Sequence, residues 1–154
     1  MPHDGISKFA RHIPRSLNLQ DREYSQTPRS SMATQDTCCT IVPYFKVHAG
    51  KMAAFRNLCE RFVARTSAEP KCLYYGWSFD GDEVHCREGY VDANGAVHHL
   101  KNVDVLLREA LTLADLVRLE MHGPEAELEK LRPTVDPLKP RYFTLEYGFR
   151  KIPE

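Results

Sequence analysis

The stretch Arg87-Glu88-Gly89-Tyr90-Val91-Asp92-Ala93-Asn94-Gly95-Ala96-Val97-His98-His99-Leu100 leads from a strand bearing a carboxylate and a phenol into a helix bearing two imidazoles. Residues two apart on a strand share a face, so Glu88 and Tyr90 point the same way. Asp92-Ala93-Asn94-Gly95 has turn chemistry, and Ala96 to Ala110 then follows helical spacing, with Val103, Leu106, Leu107 and Ala110 as its buried stripe. His98 and His99 lie about 100° apart on such a helix, so one small ligand meets only one of them.

Upstream, Leu73-Tyr74-Tyr75-Gly76-Trp77-Ser78-Phe79 alternates, with Leu73, Tyr75, Trp77 and Phe79 on one side. Asp80-Gly81-Asp82 is a hairpin turn, because Asp-Gly supplies positive φ angles, and the return strand covers Glu83 to Val91. Cys39 to Val47 is β-branched and aromatic and reads as a first strand, with Pro43 marking a bulge or an edge. Between these strands Met52, Phe55, Leu58, Cys59, Phe62 and Val63 recur at helical spacing after Gly50-Lys51, and the helix ends before Pro70. Downstream come a strand over Asp115 to His122, a helix over Pro124 to Leu131 and a strand over Tyr142 to Arg150. Pro124 suits a first helical turn, where a missing N–H costs little.

This order predicts an α+β fold, a ferredoxin-like antiparallel sheet with helices on one face. Apolar residues occupy both alternation phases of several strands, so the open sheet face is expected to pair in a homodimer; a helix-covered core is the other use for the same side chains. Residues 38–154 form the domain and residues 1–37 a flexible N-terminal extension, since Pro2, Pro14 and Pro28 interrupt a segment with little periodicity. That segment favours Arg, as organellar transit peptides do, but contains Asp4, Asp21 and Glu23; Met32 is a second candidate start.

Composition excludes several classes. Lys plus Arg and Asp plus Glu are both 21, so no excess field draws the chain to nucleic acid or to an anionic membrane. Five cysteines, an odd number with Cys38 and Cys39 adjacent, suit a reducing cytoplasm better than a disulfide framework. No apolar run approaches the roughly 18 residues of a membrane span. No glycine-rich phosphate loop, nucleophile elbow or dinucleotide fingerprint occurs, and the seven histidines lack His-Glu-x-x-His or paired-Cys spacing. No cofactor and no metal is expected.

Val47-His48-Ala49-Gly50-Lys51, Tyr74-Tyr75-Gly76, Glu88-Gly89-Tyr90 and Ala96 to His99-Leu100, taken in order, resemble the antibiotic biosynthesis monooxygenase-like domain, over about Cys39 to Lys151. The resemblance implies a dimeric α+β barrel. It also implies cofactor-independent oxygenase, isomerase or haem-degrading chemistry, and it places the family histidine at His99. Two features of the oxygenase subgroup are missing: Thr40 to His48 contains no Asn, and Tyr90 stands at the third-strand Trp position. Proton transfer asks less of a pocket than oxygen activation does.

The candidate catalytic set is therefore His99, Glu88 and Tyr90. His99 would move a substrate proton, Tyr90 would donate to a developing phenolate or enolate, and Glu88 would orient the imidazole or act as a base with raised pKa. Tyr44, Tyr75, Trp77 and Arg87 are the candidate substrate-binding set for a small, aromatic or quinol-type ligand. A structural reading of the same residues has Glu88 paired with a basic group, Tyr90 packed and His99 capping its helix. On that reading the protein is a binding or dimerisation module.

Overall fold

A computed structural model of the protein describes residues 33–151, so the expectations for residues 1–31 and for a start at Met32 lie outside the described residues. The strands are β1 (Cys39–Val47), β2 (Cys72–Asp80), β3 (Glu83–Tyr90), β4 (Ala114–Gly123) and β5 (Arg141–Thr144). The helices are α1 (Met52–Thr66), α2 (Ala93–Asn102), α3 (Asp104–Leu113) and α4 (Glu125–Val135), and a 3-10 turn covers Asp136–Leu138. The sheet order is β2-β3-β1-β4-β5, with β1 central and antiparallel to both β3 and β4. No helix among the described residues is long and apolar enough to cross a membrane.

Period-two alternation on the central strands places Ile41, Phe45 and Val47 of β1 and Val84, Cys86, Glu88 and Tyr90 of β3 on the buried face. Two apolar clusters cover that face. Phe45, Phe55, Leu58, Phe62, Val84, Val103 and Leu106 pack under α1 and α3. Cys39, Ile41, Tyr90, Ala96, Met121, Leu128 and Leu131 pack under α2 and α4. Glu88 pairs in register with Ile41 of the second cluster and with Tyr75, which packs on the first, so it stands at the seam between them.

The structure corrects several sequence expectations. The single helix over 96–110 is two, because Val103 (φ −99°, ψ 5°) leaves the helical path between α2 and α3. Asp92-Ala93-Asn94-Gly95 is the first helical turn rather than a loop before it: Asp92 is extended and caps α2 by accepting the Gly95 N–H at 2.9 Å. Pro43 lies in the central strand, not at an edge, and the β1–β4 register shifts one residue further on, between Tyr44 and Phe45. A shift between Cys72 and Tyr74 turns Leu73 out of the expected core row, and it is exposed. The helix α4 runs on to Val135, carrying Pro133 in its last turn.

The fifth strand is shorter than the expected 142–150 and pairs in parallel with β4, so the sheet is mixed rather than wholly antiparallel. After Thr144 the chain leaves the sheet. Leu145 N–H donates to Gly123, Thr34 N–H to Glu146, and Arg150 meets Asp36 at 3.2 Å. Residues 33–37, which sequence groups with the N-terminal extension, are thus tied to the C-terminal segment, and the Thr37 hydroxyl donates to Val91 C=O at 2.7 Å.

Candidate active site

Glu88, His99 and Glu69 are 4%, 3% and 7% exposed, and they form one hydrogen-bonded chain. His99 Nε2 lies 3.2 Å from Glu88 Oε2, and His99 Nδ1 lies 3.0 Å from Glu69 Oε1. The Tyr90 hydroxyl donates to Glu88 Oε2, and Asn102 Nδ2 donates to Glu69 Oε1 at 2.7 Å. The His99 ring also packs between Tyr90 and Tyr75, with centroids 5.0 and 5.4 Å away. Three elements supply the chain: β3 gives Glu88 and Tyr90, α2 gives His99 and Asn102, and the turn after α1 gives Glu69.

Local structure fixes where α2 delivers His99. Its N-terminus is held by the Asp92 cap and by Glu127 of α4, which accepts the Ala93 N–H at 2.9 Å. Lys71 Nζ pairs with Asp92 at 2.6 Å, and Gly95 lets the first turn sit against the stems of Lys71 and Tyr90. His98, one position along, is exposed, as helical geometry requires.

Burial dominates the electrostatics. It pushes the Glu88 carboxyl up to about 8, with Glu69 adding to the rise and the Tyr90 hydrogen bond opposing it. Burial also lowers the His99 pKa, against the pull of Glu69. Both directions favour one arrangement near neutrality: a protonated Glu88 beside a neutral imidazole. An Nδ1–H directed at Glu69 leaves Nε2 bare, and the Glu88 O–H can donate to it. Burial raises the Tyr90 phenol strongly, so it remains a hydrogen-bond donor.

A largely apolar cleft opens beside Glu88 and His99, walled among others by Phe62, Tyr75, Trp77, Leu116, Leu119 and Leu138. Its void measures about 40 Å³, so anything larger than a water or two must widen it. The Trp77 Nε1–H is buried without an acceptor among the described residues, and so is the Thr66 hydroxyl.

The sequence-derived residues separate into two groups. Glu88, His99, Tyr75 and Trp77 meet at the cleft. Tyr90, expected as a substrate donor, stands behind the cleft with its hydroxyl committed to Glu88. Tyr44 and Arg87 lie on the opposite sheet face, so neither belongs with the cleft: Tyr44 stacks on His85 at 4.4 Å, and Arg87 lies 5.1 Å over the Tyr74 ring. Alternation alone carries this, since Tyr44 is odd-phase to Phe45 and Arg87 to Glu88.

Sequence reading missed Glu69. Its only local signal is a carboxylate before Pro70 at a helix end, and its partner is thirty residues away. Three other histidines among the described residues have partners elsewhere: His85 Nδ1 is 2.8 Å from Pro43 O, His122 Nε2 is 2.9 Å from Glu120, and His48 Nε2 is 3.0 Å from Asp115. Burial holds Cys59 at about 12 and raises Cys86 further, consistent with unreactive thiols.

Among solved structures, MupZ from Pseudomonas fluorescens is 45% identical, with a TM-score of 0.73 over 77% of this chain and 92% of that one. The chain belongs to the MupZ family. Its fold is the antibiotic biosynthesis monooxygenase-like α+β barrel, which it shares with more distant proteins. A putative antibiotic biosynthesis monooxygenase from Nitrosomonas europaea is 13% identical, with a TM-score of 0.54 over 60% of this chain and 94% of that one. Another from Caulobacter crescentus is 18% identical, with a TM-score of 0.51 over 56% and 88%. No protein-family model matches the chain, and no curated protein does.

Proposed function

We propose that this member of the MupZ family is a monooxygenase-like acid–base enzyme that moves a proton on a small, mainly apolar substrate. The buried chain from Tyr90 through Glu88 and His99 to Glu69 carries the reading. Neutral His99, its Nδ1–H held by Glu69, takes a proton from the substrate at Nε2, and Glu69 stabilises the imidazolium that forms. Protonated Glu88 donates to the oxygen on which charge develops, with Tyr90 fixing its rotamer. Entry of substrate separates Glu88 from Nε2 and replaces that contact with two contacts to the substrate. A carboxyl near 8 and a depressed imidazole are matched to this exchange at neutral pH.

The deprotonated substrate has two fates. Reprotonation at another carbon gives an isomerase; electron transfer to dioxygen gives an oxygenase. Both begin with the same loss of a proton. The test is exchange of acidic C–H for deuterium in a panel of small ketones and quinols, followed by NMR, with oxygen uptake measured alongside. Wild type should exchange at least one class, and His99→Asn should lose that exchange while melting normally. Exchange by His99→Asn at the wild-type rate would remove the assignment.

The protein is further proposed to pair as a homodimer through the open sheet face. That face presents the Tyr44–His85 stack, Arg87 over Tyr74 and the His122–Phe143 stack at 4.7 Å. Sedimentation equilibrium of wild type and Tyr44→Glu decides it, since a monomeric wild type contradicts the pairing.

A further inference from the structure

The cleft has a neighbour on its leucine side. Leu116, Leu119 and Leu138 line it and also line a neighbouring groove of about 260 Å³, whose other walls are Val117, Arg118, Lys139 and Arg141. The groove exists because β5 pairs β4 only from Glu120 to Gly123, which leaves the β4 edge at Leu116 to Leu119 without a strand partner on that side. The register shift opposite Tyr44 and Phe45 leaves Val117 out of the pairing and 55% exposed at this edge.

The groove's charge is one-sided. No carboxylate is among its walls. Arg118 is engaged by Glu120, which lies on the far sheet face and also meets His122; Lys139 and Arg141, the latter 5.2 Å over the Phe143 ring, have no carboxylate partner among the described residues and provide the surplus. Lys139 has a left-handed backbone, φ 53° and ψ 51°, and is the non-glycine residue at positive φ among the described residues. A glycine would sit there with less strain. The lysine contributes a cation to the groove instead.

We propose that this groove is the second half of the substrate site, where Lys139 and Arg141 hold a terminal oxyanion, carboxylate or phosphate, of an apolar substrate whose reacting atoms reach Glu88 and His99. The inference rests on reading the cleft as a substrate site, and it names the class of substrate: an amphiphile, apolar along Leu116, Leu119 and Leu138 and anionic at its outer end. The apolar stretch is set by side chains common to both spaces, and the two cations stand beyond it.

Trp77 is the sole tryptophan and lines the cleft, so its fluorescence reports occupancy. The full chain is titrated with decanoate, decyl phosphate and methyl decanoate near neutral pH, in wild type and in a Lys139→Gly, Arg141→Gln double variant. At least one anionic ligand should bind wild type about tenfold tighter than the ester, as two partly exposed ion pairs allow. The double variant should lose that preference, keep the ester's affinity and melt no lower. Whichever anion binds tighter identifies the head group. Equal binding of all three ligands, or a preference that survives in the double variant, overturns the oxyanion site while leaving the cleft intact. Binding seen by calorimetry without a Trp77 response puts the anion elsewhere and also overturns it. Silence from every ligand, ester included, in both measurements removes the cleft reading and this inference with it.

Discussion

Replacing Glu88 by Gln should make the protein gain stability relative to wild type as pH rises, while removing the acidic proton that Glu88 offers the substrate oxygen. Gln is isosteric with the protonated acid, but the Tyr90 hydroxyl and His99 Nε2 both meet Glu88 Oε2, so the amide keeps one of these two hydrogen bonds and gives up the other, a cost that does not vary with pH. In the wild type, burial raises the carboxyl from 4.5 to about 8. Below the unfolded value both states are protonated, and the native acid keeps its full contribution. As pH rises toward 8 the unfolded chain releases this proton and the folded chain retains it, so stability drains away and the loss is complete above the folded pKa. About 3.5 units at ~1.4 kcal/mol each amount to a loss of about 5 kcal/mol across that window. Glu88 is 4% exposed, so solvent screening removes little of this. Urea unfolding of both proteins at intervals from pH 4.5 to 9 supplies the comparison. The variant's stability relative to wild type should rise by several kcal/mol from the acid end to the alkaline end. Parallel curves would show that Glu88 ionises normally in the folded protein, and the neutral-acid mechanism would go with them.

Two other substitutions probe the support around this pair. Glu69→Gln removes the charge that opposes the depression of His99, so the His99 limb of the pH–rate profile should move to lower pH and kcat should fall by about tenfold to a hundredfold; an unmoved limb would make Glu69 merely structural. Gly95→Ala should destabilise by about 1–3 kcal/mol in urea despite alanine's better helix propensity, because its Cβ would meet Lys71 Cβ at 2.8 Å and Tyr90 Cβ at 3.2 Å. A neutral or stabilising result there would mean that α2 can shift without cost.

Much of the site was readable where it depended on local geometry. A two-residue period puts Glu88 and Tyr90 on one face, and the helix after Asp92 brings His99 back over them. The same period already separates Tyr44 and Arg87 from that face, so grouping them with Tyr75 and Trp77 by aromatic or charged character ignored a signal that was present. Glu69 carries no such signal. It looks like any acidic residue at a helix end until the chain closes and sets it 3.0 Å from His99. Leu73 likewise fits its strand pattern, and only the shift between Cys72 and Tyr74 turns it out.

The sequence by itself determined the element order, the helix-covered face and the identity of the central carboxylate and imidazole, because periods of 2 and 3.6 residues are imposed by the backbone. Tertiary structure alone decided the parallel pairing of β5, the break at Val103, the recruitment of Glu69 and the placing of the Lys139–Arg141 groove beside the cleft. It also decided the protonation of the site. A carboxyl shifts from 4.5 to about 8 through the loss of water around it, and that desolvation is produced by side chains from several elements closing together.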